Sequence, residues 1–204
     1  MKGSLYTLVF AAILGVTCAF LLTAVAQITG PRAEANKKAE QTRNIFTALG
    51  VPFDPKASSE QLEETYNQYI TVTDLSETVK LYTYSSPDDT AVAVDIEGPG
   101  LWAPIKGFLA LEADRKTIRG ISFYEQEETP GLGAEIATPV FTSQFKGKSI
   151  YDPSGKPGIV VKGGKANNPI NEVDAISGAT ITSDKVQQLI NVSIDKIAEA
   201  DNGR

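Results

Sequence analysis

Histidine is absent from the 204-residue chain. With it go the Ser-His-Asp and Cys-His machines, because their usual general base is missing. Cysteine occurs once, at Cys18, so no intrachain disulfide can form and no zinc site of nitrogen and sulfur ligands can be assembled. Basic residues are outnumbered, 19 Lys and Arg against 25 Asp and Glu, for a net charge of −6. That balance excludes a nucleic-acid surface, which needs clustered cations, and exerts no long-range pull toward anionic lipid. Chemistry on this chain must come from carboxylates, hydroxyls, lysines or a borrowed cofactor. Hydrophobic residues make up 42% and charged residues 22%, the composition of a globular chain.

Charge is also missing from one long stretch. Leu5 to Ile28, LYTLVFAAILGVTCAFLLTAVAQI, carries none. As a helix it would span about 36 Å, more than the roughly 30 Å hydrocarbon core of a bilayer, so it can cross with some tilt. Ala24–Ala26 has the shape of a signal-peptide cleavage site, but the apolar run is longer than a signal h-region, and a permanent anchor is expected. Gly30-Pro31 is read as punctuation after the span. Lys2 precedes the span, whereas Arg32, Lys37, Lys38 and Arg43 follow it, so the positive-inside rule taken alone places the large domain in the cytoplasm. The span holds no Asp or Glu, so nothing in it looks like an ion path.

The rest reads as an α+β domain: a mainly antiparallel sheet flanked by helices, behind a single N-terminal transmembrane helix. The expected divisions are an anchor over 1–30, a helical stalk and linker over 31–57, and a folded domain over 58–204. A stalk helix should end at Gly50. Ser58 with Gln61 has capping-box spacing and opens a second helix. Strands are expected at 77–84, 91–97, 105–113, 117–126 and 158–164, with a short helical piece at 138–148. In the last helix Val186, Leu189, Ile190, Ser193 and Ile197 form one apolar stripe, with Ser183 or Thr182 as N-cap.

Just before that helix stands DAISGATITSDKV, residues 174–186, with four hydroxyls at Ser177, Thr180, Thr182 and Ser183. Unpaired N–H groups and the dipole at a helix N-terminus favour an anion, and Gly178 and Ala179 allow close approach, so the local chemistry suits a phosphate. Taken alone, the stretch reads more simply as a capped turn. Two further stretches accompany it. EETPGLGAEI, 127–136, is a compact loop with exposed amides, and GPGLW, 98–102, carries the only tryptophan.

In this order, behind one span, these stretches resemble the flavin-carrying subunit family of the sodium-translocating NADH:quinone oxidoreductase. Its relative is the matching flavin-carrying subunit in the Rnf ferredoxin:NAD oxidoreductase complex, which stays open as an alternative. The resemblance runs nearly the whole chain and is strongest in GLW (100–102), ETPGLGAEI (128–136) and EVDAISGATITS (172–183). It implies FMN joined through its phosphate to Thr180, the final threonine of the GAT triplet, within a box formed by Ser177, Gly178, Ala179 and Thr182. It implies a wall for the flavin ring made by Glu128, Thr129, Gly131, Leu132 and Gly133 together with Leu101 and Trp102. Main-chain N–H groups of Thr129, Leu132 or Gly133 would reach ring nitrogens, and Gly131 and Gly133 would permit backbone close to the ring or a positive φ. No residue has a catalytic role and no metal is expected. Implied partners are other membrane subunits of the same complex, the lipid bilayer and a flavin transferase, with no nucleic acid. The resemblance places the flavin domain on the periplasmic side of the bacterial inner membrane, against the Lys and Arg count, and leaves sodium movement to other subunits. A reading of another class is an anchored binding domain without flavin. The sequence argues against a serine hydrolase, since Ser177 has neither a histidine nor a Ser-x-x-Lys partner.

Overall fold

A computed structural model describes residues 2–76 and 79–202. The chain divides into two compact units, 1–39 and 40–204. Helix α1, Lys2–Leu49, is unbroken and contains Pro31, so the chain stays helical through the Gly30-Pro31 punctuation. Proline removes one N–H and strains one turn. The flanks, Ala24 to Gln27 and Arg32 to Ala35, are rich in strong helix formers and carry the helix past that defect. From Leu5 onward α1 is long and apolar enough to cross a membrane. The apolar side chains between Leu5 and Ile28 are exposed.

Within the second unit, α1 ends where expected. Gly50 takes φ +68°, Val51 N–H donates to Phe46 O at 2.9 Å and Gly50 N–H to Thr47 O at 3.3 Å. This is the glycine-terminated helix end that satisfies the last carbonyls. Helix α2, Ser59–Tyr69, begins with the anticipated capping box of Ser58 and Gln61.

Five strands follow as an antiparallel meander in the order β1-β2-β3-β4-β5. They are β1 Ile70–Ser76, β2 Val79–Ser86, β3 Asp89–Pro99, β4 Pro104–Glu112 and β5 Ile118–Glu125. The last four match the expected strands within a few residues, and β1 is an addition. The fifth expected strand is β6, Val160–Lys162, which pairs in parallel with an unanticipated β7, Glu172–Asp174. The helical piece resolves into a 3-10 turn at Gly133–Ala137, helix α3 at Pro139–Thr142 and a second 3-10 turn at Ser143–Phe145. Helix α4 spans Thr180–Asn202. It starts four residues earlier than a Ser183 cap requires, so neither Ser183 nor Thr182 is the N-cap; Ala179 stands before the first helical residue.

Alternation along the strands sorts the side chains onto two faces. Leu81, Val92, Val94, Ile96, Leu109, Leu111, Ile121 and Phe123 are buried on one face in a single cluster with Val186, Leu189, Ile190, Ile194 and Ile197 of α4. Gly98 lets the helix close on β3, since a Cβ there would stand 2.9 Å from Leu189 Cβ. The other face is built from small residues where the end of α1 crosses it. Ser122 Oγ donates to Asn44 O at 2.8 Å, and a Cβ on Gly120 would lie 2.5 Å from Ala48 O. Further along that face Tyr82 donates to Asp95 at 3.1 Å beside Phe108 and Tyr124, and burial pushes the Asp95 carboxyl above its usual range. At one end of the sheet Arg119 pairs with Asp89 and Glu112, tying the β2–β3 turn to β4 and β5 and holding the Asp89 carboxyl below its usual range.

The approach of α1 to β5 is therefore a backbone contact that tolerates no side chain at position 120. Gly120→Ala should destabilise the folded unit by about 1–3 kcal/mol, the usual cost of overpacking. Gly15→Ala, where nothing lies within 4 Å of the added methyl, should leave the domain's thermal midpoint unchanged. Thermal unfolding of the two full-length variants in detergent, followed by circular dichroism, makes the comparison.

Candidate functional site

The three motifs converge on one carboxylate. Glu128 is 4% exposed. Its Oε1 accepts from Leu101 N–H at 2.7 Å and Trp102 N–H at 3.3 Å, and its Oε2 accepts from Thr182 Oγ1 at 2.6 Å. Segments far apart in sequence are thus joined without any of the three supplying a counter-charge. Hydrogen bonds to an ionised carboxylate are the stronger kind, and removing one partner leaves a buried acceptor short. Glu128 is itself held by its own N–H, which donates to Gln126 Oε1 at 2.7 Å.

Glycine makes room for this junction on both sides. A Cβ on Gly100 would stand 2.5 Å from Glu128 Oε1, and one on Gly133 would stand 2.6 Å from Thr182 Oγ1 and 2.8 Å from Glu128 Oε2. Gly133 is buried and is not among the positive-φ residues. The expectation of a positive φ at Gly133 is corrected: it is glycine because the Glu128–Thr182 bond fills the space where a Cβ would stand. Gly131 does take φ +74°, with nothing within 4 Å of an added Cβ.

The loop 128–133 folds on itself. Thr129 O accepts from Leu132 N–H and Ala134 N–H, both at 3.1 Å. Leu132's amide is thereby spent, which removes it from the donors expected to face a ring nitrogen. Its side chain is 42% exposed and its Cδ2 would lie 3.1 Å from a Cβ on Gly178, so this loop touches the hydroxyl-rich box a second time. Leu101 is half exposed and Trp102 is 71% exposed.

The four hydroxyls of the box separate into two kinds. Thr182 and Ser183 are buried, at 2% and 1% exposure. Thr182 donates to Glu128, and Ser183 Oγ accepts from Ile176 N–H at 3.2 Å. Ser177 and Thr180 are exposed. Gly178 takes φ +78°, a conformation that disfavours any Cβ, and turns the chain so that Ala179 tucks in while its neighbours face out. Ala179 O accepts the N–H of Ser183 at 2.9 Å. The amides of Thr180, Ile181 and Thr182 precede the first possible intrahelical bond, so Thr180 Oγ1 sits on the first residue of α4 beside unpaired donors at the positive end of the helix dipole.

Two residues outside the expected set hold the approach to the box. Asp174 N–H donates to Gln144 Oε1 at 2.8 Å, and Asp174 Oδ1 accepts from Ala166 N–H at 2.6 Å. Asp174 opens the hydroxyl-rich stretch and so is visible in the sequence; Gln144 has no such signal, because only the fold brings it to β7. Among the described residues no group of His, Cys, Asp or Glu could hold a metal ion.

Residues 100–195 match the family model of the FMN-binding domain. Over 109 residues the chain is 44% identical to the NqrC subunit from the Na(+)-translocating NADH-quinone reductase of Vibrio campbellii, covering 52% of this chain and 42% of that one. Over 101 residues it is 46% identical to the same subunit from Yersinia pestis, covering 49% of this chain and 38% of that one. These matched stretches are less than half the length of either relative. Solved structures extend the likeness. The NqrC subunit from Parabacteroides distasonis superposes with a TM-score of 0.70 at 30% identity, covering 82% of this chain and 94% of that one. NqrC of Shewanella oneidensis superposes with a TM-score of 0.66 at 25% identity, covering 77% and 91%. A fold shared over nearly the whole of a 30% identical relative settles the kinship: the chain belongs to the NqrC family, the FMN-binding-domain subunits of the Na(+)-translocating NADH-quinone reductase.

Proposed function

We propose that this chain is the subunit of a sodium-translocating NADH:quinone oxidoreductase that carries FMN esterified through its phosphate to Thr180. The observation that carries the assignment is the division of the hydroxyls. Thr182 and Ser183 are buried and engaged, whereas Ser177 and Thr180 are exposed. Of these two, Thr180 alone stands on the first turn of α4, where unpaired amides and the helix dipole stabilise a phosphate.

The residues around the box fit the rest of the group. Leu101, Trp102 and Leu132 are large apolar side chains left exposed by the fold. They would wall the isoalloxazine ring, with Trp102 as the stacking face. Gly131 leaves open space beside the ring, and the amides of Thr129 and Gly133 are those of the three anticipated donors left by the turn's hydrogen bonding. When bound, FMN supplies the passage of electrons, and the protein fixes its position and tunes its potential. Thr180 is an anchor and moves no proton. Both sequence relatives and the Parabacteroides structure carry the quinone reductase's name, which favours that complex over Rnf.

The α1 span would anchor the chain in the inner membrane among other integral subunits, with the folded unit in the periplasm. There a flavin transferase would attach FMN. A reporter active only in the periplasm, fused after Arg204, should be active; a cytoplasmic result would uphold the Lys and Arg count instead.

Intact mass of the purified chain tests the anchor. The native protein should carry one FMN by ester. Thr180→Val keeps the β-branched shape without the hydroxyl and should carry none while still folding; Ser177→Ala should remain loaded. Wild-type loading of the Thr180→Val chain excludes the assignment. Trp102→Leu should keep the ester and alter the flavin's absorption and midpoint potential, because it changes the stacking face and not the phosphate site. An unchanged spectrum and potential would remove Trp102 from the wall.

A further inference from the structure

We infer that Glu128 is a positioning residue which locks the Leu101–Trp102 segment to the first turn of α4 before any cofactor arrives. The inference rests on the proposed function for its purpose, since it concerns the spacing between ring wall and phosphate anchor. Its geometry stands apart from that reading.

Trp102 is 71% exposed, so its side chain has little packing of its own. What holds this segment is its backbone. Gly100 N–H donates to Ala103 O at 3.0 Å, closing a turn, and the next two amides both point at Glu128 Oε1. The other carboxylate oxygen is taken by Thr182, two residues past Thr180. The glycine backbones of residues 100 and 133 pack against the two oxygens, so the carboxylate has no room to swing toward a bound ring. The residue that the resemblance assigns to the cofactor wall thus stands behind it. A continuous path runs from the Trp102 amide through Glu128 to Thr182 and, within one helical turn, to Thr180.

A non-local consequence follows. A change on α4 should loosen a tryptophan on the far side of the carboxylate, and Trp102 is the only tryptophan in the chain. The experiment uses the full-length chain, purified in detergent from cells lacking a flavin transferase and checked by absorbance to be flavin-free. Thr182→Val should lower Trp102 fluorescence anisotropy, raise its quenching by acrylamide, and speed amide exchange at Leu101 and Trp102 about tenfold or more, the factor that one lost charge-assisted hydrogen bond implies. Glu128→Gln should do the same, and the double variant should add little, because both single changes break one path. Thr182→Ser restores the hydroxyl and should restore the native values. Ser193→Ala, which removes a buried α4 hydroxyl bonded within the helix to Leu189 O, should leave Trp102 unmoved. Native Trp102 mobility in the Thr182→Val chain, or an equal response to Ser193→Ala, overturns the inference. No readout here involves flavin, so a failure of the FMN assignment shows in the mass measurement and not in these values.

Discussion

A buried carboxylate with three donors, and no cation paired with it among the described residues, is the constraint on which the site depends. Glu128 cannot be removed without stranding two backbone amides and a hydroxyl, and it cannot be enclosed unless its neighbours lack side chains. Gly100 and Gly133 meet the second requirement from opposite sides. The three motifs that look independent in sequence are therefore one structural unit. GLW supplies amides, ETPGLG supplies the acid and the clearance, and the box supplies the hydroxyl. An interaction between ions and oriented donors inside the protein is stronger than the same contact in water, so the junction is rigid only while it stays dry.

That unit also sorts the hydroxyls of the box. Thr180 and Thr182 flank Ile181 in the same local pattern, and nothing in their immediate neighbours distinguishes them. The fold does. The start of α4 at Thr180 puts Thr182 on the inward side of the first turn, where Glu128 captures it, and leaves Thr180 outward. Ser183 is inward as well and braces the entering chain through Ile176 N–H. Two hydroxyls are buried and bonded, and the other two are exposed.

Signals in the sequence are legible where the structure is local. The Ser58–Gln61 capping box, the glycine stop at Gly50 and the apolar stripe of α4 each lie within a few turns of chain. Strands β2 to β5 are legible because their inward faces are Val, Ile, Leu and Phe in alternation. Strand β1 is not, since Thr71, Thr73 and Asp74 lie on an edge and only pairing with β2 makes them a strand. Helix α1 continues through Gly30-Pro31 because a single defect is outweighed by good helix formers on both sides. The start of α4 differs from the expectation because Ser183 looks like a cap, while its hydroxyl in fact closes a contact to Ile176. Gly133 is legible as a necessary glycine, but the reason lies in Thr182, which only the fold brings to it.

Around the Glu128 junction the described residues offer oriented amides and a hydroxyl, so control over a bound group comes through where atoms are held and which dipoles face them. Such control needs the proposed phosphate anchor and the proposed ring wall to keep a fixed separation. The structure links them at two places of opposite character. One is polar and buried, the Glu128 junction. The other is apolar and exposed, where Leu132 lies over Gly178. Gly178 answers to both demands, because its φ of +78° turns Thr180 outward and its missing side chain admits Leu132. A Cβ at 178 would strain the turn and push the leucine away together, so the anchor and the wall would shift as one. The glycine of the box is thus set by two constraints at once, and a flexible phosphate site would satisfy neither.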